Sequence, residues 1–284
     1  MTGANDTLPL DRTGGNQAFA TGLARAFGGA IIFTLPMLMT MEMWELGYTI
    51  APLRFALLLI LVVPLLVGLS HYVGFEETFH WKDDVVDAFV AYAVGFIAAA
   101  PILALFGVVR WDMSMQEIVG KVALQAVPGS IGALLAQSEF GAQGERGRRK
   151  DQRRDTYWGE MFFMLAGAIF LSLNVAPTEE MILISYQMTT WHTLVLCVLT
   201  IVLMHAFVYS VDFKGESQVP HGTPGWSTFL RYTMVGYAIC LLISAYVLWT
   251  FGRMSGLPLE EIVMITVVLA FPAAIGAAAA RLIL

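Results

Sequence analysis

Eight apolar runs, each about as long as a bilayer is thick, divide this chain and decide most of what it can become. They fall at approximately 26–47, 53–73, 86–108, 116–137, 159–184, 191–211, 227–251 and 259–282. About 20 apolar residues in a helix cross a hydrocarbon core of about 30 Å. In lipid every backbone N–H and C=O must find its partner within the protein, which leaves helices or a closed barrel. The runs lack strict apolar/polar alternation, so an all-α polytopic membrane protein is expected. Composition agrees: 13% of the residues are charged and 57% are hydrophobic, against about 25% charged in a soluble domain.

Two gaps between runs, Gly47 to Pro52 and Ser185 to Thr190, are short enough to make tight helical hairpins. Eight spans put both termini on one side. That side then holds twelve Lys/Arg and the other only four, Arg54, Arg110, Lys121 and Arg253. The positive-inside rule places the termini in the cytoplasm, and an inner (cytoplasmic) membrane location is expected. Six of the twelve lie in the loop Glu145 to Asp155, where Arg146, Arg148, Arg149 and Lys150 suit anionic lipid or a protein partner.

The chain also resembles itself. Residues 28–75 align without gaps on 166–213 with 13 of 48 identities, and 117–133 on 261–277 with 8 of 17. Thr40, Glu42, Met43 and Tyr48 match Thr178, Glu180, Met181 and Tyr186; Glu117 and Pro128 match Glu261 and Pro272. Four spans per half, an even number, make the repeats parallel and relate them by an expected pseudo-two-fold axis along the membrane normal. The organisation read from this is a disordered cytoplasmic tail (1–24), a first four-helix repeat (25–138), a basic cytoplasmic linker (139–158) and a second four-helix repeat (159–284).

Carboxylates inside apolar runs are the candidate chemistry. Glu42 lies about 17 residues into the first run with Glu45 one turn on, and Glu180, beside Glu179, takes the equivalent place in the fifth. A charge at the centre of a transmembrane helix costs about 2.5–3.5 kcal/mol on the insertion scale. Such residues face a bundle interior or a watery cavity and mark ion or proton paths, unless they sit near the interface or cap a helix. Pro177 breaks the fifth helix and frees a carbonyl beside Asn174 and Thr178, a set of hard oxygen ligands suited to Na⁺, Ca²⁺, Mg²⁺ or H⁺. Pro36 is the corresponding, non-superposable break in the first repeat. Were Glu42 and Glu180 to meet across the axis, they would share a proton or hold a cation.

Other signals weigh less. The run Met37 to Met43 offers thioethers that can bind Cu(I), but methionine more often fills gaps. Cys197 and Cys240 read as packing residues. His205 and His71 suit proton shuttling or a bond to a neighbouring helix. Lys121 is expected to snorkel. There is no H-E-x-x-H, G-x-S-x-G or phosphate-loop motif, so no enzymatic activity, cofactor or nucleic-acid partner is expected. The sequence specifies neither a bound metal nor an oligomeric state; a homo-oligomer is compatible with it.

The segments Gly29-Ala30-Ile31-Ile32-Phe33 through Met41-Glu42-Met43-Trp44, and Ala176-Pro177-Thr178-Glu179-Glu180-Met181, resemble a family of uncharacterised bacterial multi-pass membrane proteins. The likeness covers all eight spans and implies no activity. Asn174-x-Ala176-Pro177-x-Glu179 is similar, as chemical analogy, to the helix breaks of calcium/cation exchangers. The function read from the chain is cation or proton transport through Glu42 and Glu180, supported by Glu179, Asn174, Thr178 and Glu45. The alternative is a non-transporting scaffold or assembly factor acting through its basic loop.

Overall fold

The apolar runs become helical because lipid offers the backbone no other partner. The computed structural model describes residues 12–73, 81–140, 156–209 and 225–283, and among these there is no strand. The first half contains α1 (Arg12–Leu38), α2 (Met41–Thr49), α3 (Pro52–Val73), α4 (Trp81–Leu105) and α5 (Met115–Phe140). The second contains α6 (Tyr157–Val175), α7 (Glu180–Gln187), α8 (Thr190–Tyr209), α9 (Val235–Thr250) and α10 (Leu259–Ile283). A helical turn, Gly225–Thr228, and a π-helical segment, Phe229–Met234, lead into α9. Among the described residues, eight helices are long and apolar enough to cross a membrane. The protein is therefore an all-α, multi-pass integral membrane protein, with the lipid bilayer as its surroundings.

Local chemistry explains where helices start and stop. Thr156 caps α6 by accepting from Gly159 N at 3.1 Å, and Ser114 does the same ahead of α5, accepting from Glu117 N at 3.2 Å. Pro52 opens α3, where its missing N–H costs nothing. α4 and α9 end alike, on Gly107 (φ 71°) and Gly252 (φ 73°). At each, the next N–H reaches back to a carbonyl five residues earlier: Val108 to Leu103 and Arg253 to Leu248, both 2.9 Å.

Three expectations about helix limits are corrected. Residues 12–24, read as tail, are helical, because Ala18, Ala20 and Ala24 favour helix despite polar neighbours; residues 1–11 lie outside the described residues. The first run is not one span from 26 to 47. α1 stops at Leu38, Thr40 is extended, and its hydroxyl bonds back to Pro36 O at 2.6 Å. The fifth run stops at Val175 rather than continuing to 184, because the Pro177 ring leaves no N–H for the preceding turn.

Within each half one helix is central. α5 is 78% buried over its span and packs on α1, α2, α3 and α4. α10 takes the same position in the second half, against α6, α7, α8 and α9. Two close crossings correspond between the halves, α1 on α5 and α6 on α10. They meet at Gly29 against Gly132 and at Gly167 against Gly276, where a Cβ on any of the four would strike the facing backbone or its neighbours. Close approach of small residues replaces the hydrophobic effect, which is absent between helices in lipid.

Contacts between halves are fewer and one-sided. α3 packs on α6 and α9, with Tyr72 stacked on Phe162 at 5.3 Å between ring centroids. Phe33 meets Phe170 at 4.8 Å. α8, which stands in the second half where α3 stands in the first, has no comparable packing on the first half and is only 17% buried.

Gly276→Val should separate α6 from α10 and lower stability in detergent by about 1–3 kcal/mol, measured by denaturant unfolding. Ile275→Val, on the adjacent surface position, should change it by less than about 0.5 kcal/mol.

Candidate functional site

At the two helix breaks carbonyls lose their intrahelical donors, and other side chains of the same half supply new ones. In the first half Gln125 of α5 donates to Met37 O at 2.9 Å and the Trp44 indole to Leu38 O at 2.8 Å. In the second, the Arg253 guanidinium, just beyond α9, donates to Pro177 O. The carbonyl beside the proline break is thus held by the protein's own cation. Asn174 and Thr178 turn to their own backbone: Asn174 Nδ2 donates to Phe170 O at 2.8 Å and Thr178 Oγ1 to Val175 O at 2.9 Å.

The candidate carboxylates lie beyond the ends of the spans. Glu42 sits half-buried in the first turn of α2, and Glu45 is exposed one turn later. Glu179 and Glu180 are exposed at the start of α7. Among the described residues none of the four carboxylates has an ion-pair or hydrogen-bond partner. The structure does not join Glu42 to Glu180; α2 packs on α5 and α7 on α10, each within its own half. Pro36 lies exposed inside α1, two residues before its end, and Pro177 is buried in the break. Arg146, Arg148, Arg149 and Lys150 lie outside the described residues.

Sequence reasoning missed the charges that are buried. Lys121, expected to snorkel, is 7% exposed in its side chain, because α2 closes over it with Gly47 against its Cα. Its ammonium donates to Glu117 Oε1 at 2.7 Å and Val108 O at 3.2 Å, and lies 5.4 Å from the Tyr48 ring centroid. The i,i+4 spacing of Glu117 and Lys121 was the signal for this pair. At the end of the bundle that carries the termini, Arg281 of α10 pairs with Glu160 of α6 at 2.7 Å, both nearly buried, and the guanidinium lies over Tyr232. There too His71 Nδ1 lies 3.0 Å from the buried Asp84 carboxylate. His205 meets Thr233 at 2.9 Å, the neighbouring-helix bond that was one of its two readings.

Other buried polar atoms meet no protein partner, among them Asp84 Oδ1 and Gln125 Oε1 in the first half, Arg253 Nε beyond α9, and a group on three packed helices of the second half: Asn174 Oδ1 and Ser172 Oγ on α6, Ser244 Oγ on α9 and Glu261 Oε2 on α10. No group of three or more His, Cys, Asp or Glu placed to hold a metal occurs among the described residues.

Glu117→Ala should leave the Lys121 ammonium buried without its carboxylate and cost about 3 kcal/mol. Glu117→Ala with Lys121→Met should recover most of that loss in a double-mutant cycle read by unfolding in detergent.

Residues 22–284 match the model of a family described as "Putative integral membrane protein (DUF2391)". No curated protein and no solved structure matches the chain.

Proposed function

We propose, for a chain that belongs to this family of integral membrane proteins, a role as a cation or proton transport protein. The observation that carries this reading is the set of partnerless polar atoms of Asn174, Ser172, Ser244 and Glu261. They lie on α6, α9 and α10, three helices packed on one another. Buried polar groups in proteins are nearly always satisfied by protein or water. Within a bilayer, polar groups facing a bundle interior mark the path of an ion or proton. Water or a passing cation would supply the missing partners.

The charge around the path supports the same sign of substrate. The end of the bundle carrying α2 and α7 holds eight acidic against four basic side chains, counted over residues 39–54, 106–121, 176–190 and 251–261. A surface of that balance concentrates cations. In this reading Glu42, Glu45, Glu179 and Glu180 form an acidic mouth rather than a paired site in mid-membrane. Asn174 and Thr178 stand where the path enters the spans. Arg253, at the Pro177 carbonyl, is a fixed positive charge that a metal cation would have to pass or displace, which favours protons over larger ions.

The architecture we propose is two parallel copies of a four-helix unit, with both termini and the basic linker in the cytoplasm. Several correspondences support the duplication. The hairpin helices α3 and α8 start at Pro52 and Thr190, 138 residues apart, the offset of the sequence repeat. The glycine crossings Gly29–Gly132 and Gly167–Gly276 occupy aligned positions. In this reading the one-sided contacts of α3 leave the two copies without a closed two-fold interface.

Purified protein in liposomes should pass H⁺ or one of Na⁺, K⁺, Ca²⁺ and Mg²⁺. Asn174→Leu should fold at least as well as wild type and reduce flux at least about tenfold, and Glu42→Gln with Glu180→Gln should reduce it by a smaller factor. Undiminished flux in Asn174→Leu would remove the path from this place, and absence of flux for every ion would remove the transport reading.

A further inference from the structure

At the hairpin end, where the halves meet, a crevice of about 270 Å³ opens between the α2–α3 hairpin of the first half and the last turn of α9 in the second. Leu46, Thr49 and Arg54 line one side and Phe251, Gly252 and Ser255 the other. No acidic side chain lines it, although this end of the molecule is acidic as a whole; Glu45, one turn before Thr49, is exposed outside it.

Arg54 is held in a fixed orientation. Its Nη1 donates to Trp249 O at 2.8 Å, and its guanidinium carbon lies 4.9 Å from the centroid of the Trp249 ring. These contacts engage one of the five guanidinium N–H donors; the other four have no protein partner among the described residues. The Ser255 hydroxyl is likewise without one. Thr49 and Thr250 do not compete, since their hydroxyls donate to Glu45 O and Tyr246 O.

Gly252 keeps the space between the two donors clear. A Cβ built on it would lie 3.8 Å from Arg54 Nη1 and 3.9 Å from Ser255 Oγ. The φ of 73° already restricts this position to glycine, and the missing side chain leaves a point reached by both donors. A guanidinium with free donors, a free hydroxyl and no carboxylate recognise an oxyanion. The volume is that of about nine water molecules, enough for a phosphate group with a few attached atoms. The crevice lies where the apolar spans of α3 and α9 meet their loops, the level at which lipid phosphates would stand.

We propose that this crevice binds a phosphate oxyanion, carried by a lipid headgroup or free in solution, and that the bound phosphate joins the two halves through Arg54 and Ser255. The site is independent of the transport reading.

The test is thermal unfolding of the purified full-length chain in phosphate-free detergent at constant ionic strength. The titrants are inorganic phosphate, dihexanoyl phosphatidylglycerol, and dihexanoylglycerol as the lipid without phosphate. Wild-type Tm should rise saturably with at least one of the two phosphates and not with dihexanoylglycerol. A rise with phosphatidylglycerol alone identifies the headgroup as the source; a rise with inorganic phosphate shows that the free ion suffices. Arg54→Gln should weaken the midpoint at least about tenfold and Ser255→Ala about threefold, the loss of a charge-assisted and a neutral hydrogen bond. If Arg54→Gln does not fold, Ser255→Asp, which sets a carboxylate beside Arg54, should abolish the rise. No saturable rise, an equal rise with the phosphate-free lipid, or unchanged midpoints in Ser255→Ala and Ser255→Asp would overturn the proposal.

Discussion

A helix that stops leaves carbonyls without their intrahelical donors, and much of this structure follows from how they are satisfied. Two helices stop in this way, α1 at Leu38 and α6 at Val175. The orphaned carbonyls are met by Gln125, Trp44 and Arg253. An unpaired backbone group in hydrocarbon costs several kcal/mol, so these side chains are as constrained as any apolar core residue. They also fix geometry: Gln125 ties α5 to the end of α1, and Arg253 ties the end of α9 to the break after α6. Each half is thus held around its own discontinuity by its own side chains.

The glycine crossings work with the same constraint. Gly29 against Gly132, and Gly167 against Gly276, bring backbones close enough for packing to hold helices together where no water can be expelled. α5 and α10 become the centres of their halves, and the polar residues they carry are withdrawn from lipid. Lys121 is an example: burial beneath α2 makes its pairing with Glu117 obligatory. The seam between the halves is looser and aromatic, and it is there that a charged crevice can form around Arg54 without disturbing either unit.

How much of this was legible in the sequence depended on the range of the interaction. Eight runs of apolar residues announce eight helices, because length and hydropathy are local properties. The short hairpins after Gly47 and Ser185 were legible for the same reason. The stop at Leu38 was legible only in part: Pro36 was read as a break, but the donors that hold the last carbonyls, Gln125 from α5 and the Trp44 indole, are not local signals. Glu42 and Glu180 therefore fall on the short helices α2 and α7 rather than on the long helices that precede them. Pro177 pointed correctly to a broken helix and a freed carbonyl. The carbonyl held across the break is a different one, that of Pro177 itself; its donor, Arg253, is 76 residues away, and nothing local marks an arginine counted as a loop charge as the cap of a distant helix. Asn174 was picked out as a polar residue in an apolar run, and its carbonyl oxygen is among the buried atoms without a partner.

Two like-oriented four-helix units, as proposed, would place both hairpin ends on one face of the membrane. Tyr48 on α2 and Tyr186 on α7 occupy aligned positions and are 48% and 58% exposed, so each can be replaced by cysteine in a chain whose Cys197 and Cys240 have been changed to alanine. A membrane-impermeant maleimide applied to sealed vesicles of one orientation should label both positions from the same side and neither from the other. Labelling of the two positions from opposite sides would contradict the parallel arrangement.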